Sequence, residues 1–285
     1  MNIKILLELN KVRITIAVTL TTVAGYILAK GTIDQGMILP VLGIFVLACG
    51  SAVINHVQDR DKDAIMQRTS KRPIPSGKIS VSMALTIGIS EIIIGSVLIY
   101  LGSGFLAMQL GVLALIWYNG IYTPLKRKTA FAVIPGSIIG AIPPLVGWVA
   151  AGGSLTDPKA MVLALFFFMW QVPHFWLLML KYGDEYQKAG FPSITSTISK
   201  HQLKYSTFLW TVATAVAAIM VATSGLISLL IFKVMILAAS IWLIVIFSKL
   251  LLKKDQEFNP FYYFMRINYF VLIMILVLSV EPLIH

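Results

Sequence analysis

Three aspartates fall within five residues in the segment Asn55-His56-Val57-Gln58-Asp59-Arg60-Asp61-Lys62-Asp63, and Arg68 and Arg72 follow before Pro73. On a helix, Asn55, Asp59 and Asp63 recur every four residues and share one face, with Arg68 and Arg72 repeating the spacing further on; Asp61 points elsewhere, towards solvent. Like charges four apart disfavour a helix by roughly 0.2–0.5 kcal/mol, which a hard divalent cation between the carboxylates would offset. Mg2+ suits such a pair, because it takes one or two carboxylates and leaves positions for water and phosphate oxygens. Arg68, Lys71 and Arg72 add a grip on phosphate itself. The chemistry predicted here is the handling of a polyphosphate; the plainer alternative is a solvated charged loop.

A second acidic cluster, Asp184-Glu185, lies in the stretch Lys181–Pro192, with Lys188 beside it. Between the two clusters, Tyr122-Thr123-Pro124-Leu125-Lys126-Arg127-Lys128-Thr129 is compactly cationic.

The elements that position these groups are membrane helices. The chain has 285 residues, 58% of them hydrophobic and only 12% charged, with a mean hydropathy of +0.86. That leaves too few charges to cover a water-soluble globule. Apolar runs bounded by Gly, Pro, Asn and charge predict nine spans near 12–29, 36–54, 80–101, 104–121, 130–151, 160–180, 205–223, 228–248 and 262–280. The expected fold is all-α, a single polytopic membrane domain over 1–285, with working loops about 55–79, 122–129 and 181–204. The net charge of +11 is read as topology, because only Lys30, Lys159 and Lys233 of the 23 Lys and Arg fall on one side of these spans. By the positive-inside rule the N-terminus is cytoplasmic and the C-terminus outside. Both acidic clusters and the cationic loop then face the cytoplasm across a prokaryotic cell (inner) membrane. Nucleic acid is not needed to explain the charge. The single Cys49, in an apolar run, forms no internal disulfide. The acids follow spans two and six, a separation that a weak duplication of a four-helix unit would give.

With those motifs laid out, Asn55-x3-Asp59-x3-Asp63-x2-Met66-x-Arg68-Thr69-x2-Arg72-Pro73 resembles the first signature of the UbiA superfamily of intramembrane prenyltransferases. Three further stretches are similar to the haem-farnesylating branch of that superfamily: Tyr122 to Thr129, Gly140 to Trp148, and Trp170-Gln171-Val172-Pro173-His174-Phe175. The similarity spans most of residues 10–195. It departs from the family at Asp184-Glu185, where the usual order is reversed, at Ala132 in place of an Asn, and at His56 in place of an acid.

The resemblance implies a UbiA-type bundle and transfer of farnesyl from farnesyl diphosphate to a vinyl group of haem b. Water would add to give haem O, and pyrophosphate would leave. Both substrates would enter from the lipid bilayer, and haem A synthase or terminal oxidase assembly would be downstream partners. The resemblance also implies metal ligands among Asn55, Asp59, Asp63, Asp184 and Glu185, diphosphate contacts from Asn55, Arg68, Arg72, Lys126, Arg127 and Lys188, and a catalytic set of Asp59, Asp63, Arg68 and Arg72. One or two Mg2+ ions are expected, with Mn2+ able to substitute.

His174 lies in span six about 10 Å below its cytoplasmic end by helix rise, where it is either a haem contact or a packing histidine. Glu91, in mid-span, is expected to hydrogen-bond inwards. Ala132, Gly136 and Gly140 form a small-residue packing face. Trp148, Trp170 and Trp176 belong either against a porphyrin or, more ordinarily, in the interfacial belt. A prenyltransferase acting on a quinone precursor or other aromatic acceptor is the nearest alternative. A secondary transporter is the distant one, because the carboxylates cluster at a surface and not at the midplane.

Overall fold

The computed structural model describes residues 2–192, 194–252 and 259–284, and among them every regular element is a helix. A short α1 (Ile3–Leu9) precedes α2 (Val12–Lys30), α3 (Ile38–Ile65) and α4 (Val81–Leu115), which runs on through a π-helical turn, Ile116–Tyr122, into α5 (Thr123–Leu125). Next come α6 (Val133–Gly136), α7 (Ile138–Ala150), α8 (Pro158–Lys188), the short α9 (Ile194–Thr197), α10 (Lys200–Thr223), α11 (Leu230–Leu252) and α12 (Pro260–Ile284).

Eight helices among the described residues are long and apolar enough to cross a membrane. One of them, Val81–Leu125, has 45 residues, about 67 Å at helical rise, twice what ~30 Å of hydrocarbon requires. Gly104 resolves this. Its backbone, at φ 78° and ψ −171°, is non-helical, a conformation only glycine adopts without strain. A Cβ on Gly111 would stand 3.0 Å from Ile99 Cδ1, although twelve residues of continuous helix would hold these positions about 18 Å apart. The chain therefore reverses at Gly104, and the eight helices make nine crossings, matching the nine apolar runs.

α3 packs against α4, α2 against α7, and α8 against α7, α10 and α12. Many Leu and Ile side chains on the outer faces remain exposed, among them Leu101, Leu209 and Ile241, as a surface that meets acyl chains requires. The interior reverses that chemistry along one stripe of α3, where Ser51, Asn55, Asp59 and Asp63 are all buried. Trp148 and Trp176 are buried as well, so neither belongs to an interfacial belt. The Trp148 indole donates to Ser154 O at 3.1 Å, and Trp176 packs edge-on to Trp210. Glu91 does bond inwards, accepting from Asn10 Nδ2 at 2.8 Å.

Candidate active site

α3 carries the first acidic motif beyond the apolar run, as its spacing predicts, but ends at Ile65. Met66 adopts an extended backbone, and the buried Thr69 hydroxyl donates back to Asp63 O at 3.0 Å. Arg68 and Arg72 therefore lie in turns and not on a continuing helix. The difference separates them: Arg72 folds back so that its Nη1 donates to Asp63 Oδ2 at 2.7 Å, whereas Arg68 is exposed and stacks on Tyr182, 4.7 Å from the ring centre. Asp61 is exposed, 3.6 Å from Arg60.

A second wall comes from the π-helical turn. Asn119 fixes it to α3: Ser51 Oγ donates to Asn119 Oδ1 at 2.6 Å, Asn119 Nδ2 donates to Ser51 O at 3.0 Å, and Gln58 Nε2 donates to Asn119 O at 2.8 Å. The wider turn aligns Tyr118 with Tyr122 in a stacked pair, ring centres 5.9 Å apart, and Gly136 leaves room for the Tyr122 ring. π-turns of this kind concentrate at functional sites. The chain then delivers Lys126, whose Nζ pairs with Asp59 Oδ2, and Arg127, whose Nη2 lies 3.3 Å from Asp59 Oδ1. Asn55 Nδ2 completes the link, donating to Asp59 Oδ2 at 3.0 Å and to Thr123 Oγ1 at 3.1 Å.

Lys11 reaches the same place from the far end of the chain, donating to Asn55 Oδ1 at 2.6 Å. It is the one non-glycine residue described with a left-handed backbone, φ 47°, a strain that proteins tolerate where position matters more than local stability. Burial, followed by the nearby Arg72 and Lys126 charges, pulls its ammonium down to about 7. Burial likewise lowers Lys126, against the raising pull of Asp59. Two carboxylates, Asp59 and Asp63, are thus faced by four cationic side chains, Lys11, Arg72, Lys126 and Arg127. The surplus positive charge suits a polyanion.

Residues 18–270 match the UbiA prenyltransferase family. The chain belongs to that family. It is 36% identical over 264 residues to a protein of Aquifex aeolicus named protoheme IX farnesyltransferase, covering 92% of this chain and 90% of that one. A Geobacter sulfurreducens protein of the same name is 36% identical over 220 residues, 77% of this chain and 81% of the relative. Among solved structures, a digeranylgeranylglyceryl phosphate synthase superposes with a TM-score of 0.81 at 20% identity, covering 99% of both chains. A UbiA homologue of Archaeoglobus fulgidus bound to GPP and Mg2+ gives 0.73 at 14% identity, covering 99% of this chain and all of that one.

In this UbiA-family chain no three carboxylate, histidine or cysteine side chains gather to hold a metal among the described residues. A divalent ion would find the Asp59 and Asp63 carboxylates and the Asn55 amide oxygen. That set of hard oxygen donors fits Mg2+ when phosphate and water complete its shell, and does not make an all-protein cage. The second acidic pair lies on α8, which continues to Lys188 instead of opening into a loop near 181. On that helix Asp184 and Lys188 are exposed and bond to none of the Asp59–Asp63 group, while Glu185 Oε2 accepts from the Arg68 backbone N–H at 3.3 Å. Met66, Tyr186, Ala189 and Phe191 pack where the two acidic segments meet.

The longer α8 also puts His174 about 21 Å from its end by helix rise. There a row of rings leads away from the cradle: Tyr122 to Phe175 at 5.9 Å, Phe175 to His174 at 5.6 Å, then Phe264 and Trp170 at 4.7 and 4.9 Å from His174. Lys11, Asn119 and Tyr118 escape the motif reading, and Tyr122 enters it only as the start of the cationic stretch, with no part for its ring. A lysine flanking a first span is already explained by topology, and a Tyr pair four apart in an apolar run looks like packing.

Proposed function

We propose that this UbiA-family prenyltransferase moves farnesyl from farnesyl diphosphate to a vinyl group of haem b, giving haem O and pyrophosphate at the cytoplasmic face of a cell membrane. The observation that carries the reading is the join between the cationic cradle and the row of rings from Tyr118 to His174. It is supported by the names of relatives that align over most of this chain.

Breaking the farnesyl C1–O bond leaves negative charge on diphosphate and an allylic cation. Lys11, Arg72, Lys126 and Arg127 surround the position of the departing diphosphate and stabilise it more as its charge grows, which lowers the barrier and not merely KM. Mg2+ held by Asp59, Asp63 and Asn55 would add Lewis-acid neutralisation there. The π faces of Tyr122 and Phe175 attract the cation, and the apolar wall keeps water from it until it meets the vinyl carbon. The new C–C bond leaves a cation beside the porphyrin, which water captures with loss of a proton.

The test is the mass of the product from purified protein, haem b, farnesyl diphosphate and Mg2+, with Asp59→Asn and chelator controls. Haem heavier by one farnesyl and one water, absent from both controls, is expected. Release of pyrophosphate only when a phenolic acceptor replaces haem would move the chain to the quinone-type branch. Normal turnover of Asp59→Asn at limiting Mg2+ would remove the metal assignment.

A further inference from the structure

His174 has a partner that no motif supplies. Asn268, on α12 and 94 residues away in sequence, stands with its side-chain oxygen 3.0 Å from His174 Nδ1. Its other side-chain atom, Nδ2, donates to Phe264 O at 2.7 Å. A backbone carbonyl can only accept, so the atom facing Phe264 must be the amide nitrogen, and the atom facing the imidazole must be the oxygen. That oxygen can only accept, so Nδ1 carries the hydrogen. The neutral ring has one N–H, and its lone pair therefore sits on Nε2.

The surroundings keep the ring there. Trp170, Phe175 and Phe264 all lie within 4.7–5.6 Å of its centre. The bond to Asn268 ties α8 to α12, so the ring cannot turn over without breaking a tertiary contact. His174 is half-buried, and among the described residues no bond engages Nε2. Beside it the Trp170 indole N–H is buried with no acceptor among the described residues, a polar group that a bound molecule could satisfy. An imidazole held by one nitrogen to a fixed acceptor, with the other presented as a lone pair among flat apolar rings, is the arrangement by which proteins present histidine to a metal.

We propose that His174 Nε2 ligates the iron of the haem substrate and that Asn268 is the residue that positions it, fixing the tautomer and the ring plane so that the porphyrin lies along the row of rings leading to Tyr122. This rests on the haem reading above. Coordination anchors the acceptor by its centre and leaves its edge, where the vinyl groups are, to approach the allylic cation.

The test titrates ferric haem into the detergent-purified full chain and follows the Soret band, EPR and the iron–histidine stretch after reduction. Wild type is expected to give a histidine-ligated spectrum. His174→Gly is expected to lose it and regain it with added imidazole. Asn268→Leu is expected to lower haem affinity about ten-fold or more, the usual effect of removing such a partner, and to shift the iron–histidine stretch. Asn268→Asp, which keeps an acceptor, is expected to restore most of the affinity. Inorganic pyrophosphate binding reports whether the Asn268 variants remain folded. If haem binds and is farnesylated but the spectrum of His174→Gly matches wild type, the inference fails while the function stands. If wild type neither binds nor alkylates haem yet prenylates a phenol, both fail. If Asn268→Leu binds haem with an unchanged stretch, Asn268 is packing only.

Discussion

The cradle around Asp59 and the pocket around His174 are built on opposite plans. In the cradle, charges hold one another: two buried carboxylates sit among four cationic side chains, and Asn55 bonds both Lys11 and Asp59. In the pocket one imidazole is pinned by one neutral amide, and the rest is aromatic surface. A charged network resists the loss of one cation but not of a carboxylate, because removing Asp59 leaves Lys126 and Arg127 facing each other without compensation. A neutral pocket loses little stability on mutation but depends on one geometry. The first region is thus suited to bind an anion that changes charge during reaction, and the second to hold a flat molecule still.

That comparison breaks most visibly at Asp59. Asp59→Asn should lower kcat/KM for haem farnesylation by roughly 10²–10³-fold, the scale of losing an electrostatic stabiliser in a water-excluded site. Asp59→Ala should also destabilise the fold by about 3 kcal/mol through uncompensated buried cations, read as a lowered thermal midpoint. An unaltered midpoint would show that the network is looser than its distances imply.

Lys11 gives the next largest effect, through pH. Its ammonium is held at about 7 against an ordinary 10.5. Between those values the unfolded chain binds more protons, so the group opposes folding below about 7 and the opposition is relieved as pH rises. Pyrophosphate favours the charged form, so its binding above about pH 7 should take up a proton. Affinity should then fall by at most about tenfold per pH unit. Calorimetry on wild type and Lys11→Arg isolates this, because the titration of pyrophosphate itself is common to both, and the arginine variant should show the weaker pH dependence.

A smaller change separates ring from hydroxyl where the two regions join. Tyr122→Leu should reduce kcat about five-fold, corresponding to about 1 kcal/mol of cation–π stabilisation, while Tyr122→Phe should be nearly normal in single-turnover kinetics. One further effect, on stability and not on turnover, lies away from both regions. Gly104→Ala places a Cβ at φ 78° and ψ −171° and should cost about 1–3 kcal/mol in thermal stability with no change in KM.

Both regions differ in how visibly the chain announces them. The cradle's carboxylates were legible because a four-residue period on a helix leaves a pattern in one stretch of sequence, and Arg72, Lys126 and Arg127 stood beside them as charges in an apolar chain. Arg68 shared the same spacing yet faces outward, because α3 ends at Ile65 and periodicity stops with the helix. Lys11 was hidden by its plausibility as a flanking charge. Asn268 had no local signal at all, since its role exists only through a partner 94 residues away.

The sequence by itself determined that this chain lives in a membrane, roughly where it crosses, and which face of α3 carries acid, because hydrophobic length and helical period are local quantities. Only the tertiary structure decided that Asn119 docks the π-helical turn on α3, that Lys11 closes the cradle, and which His174 nitrogen keeps its lone pair. Each of these depends on contacts between distant segments, and a hydrogen bond or a close approach leaves no period in the chain that forms it.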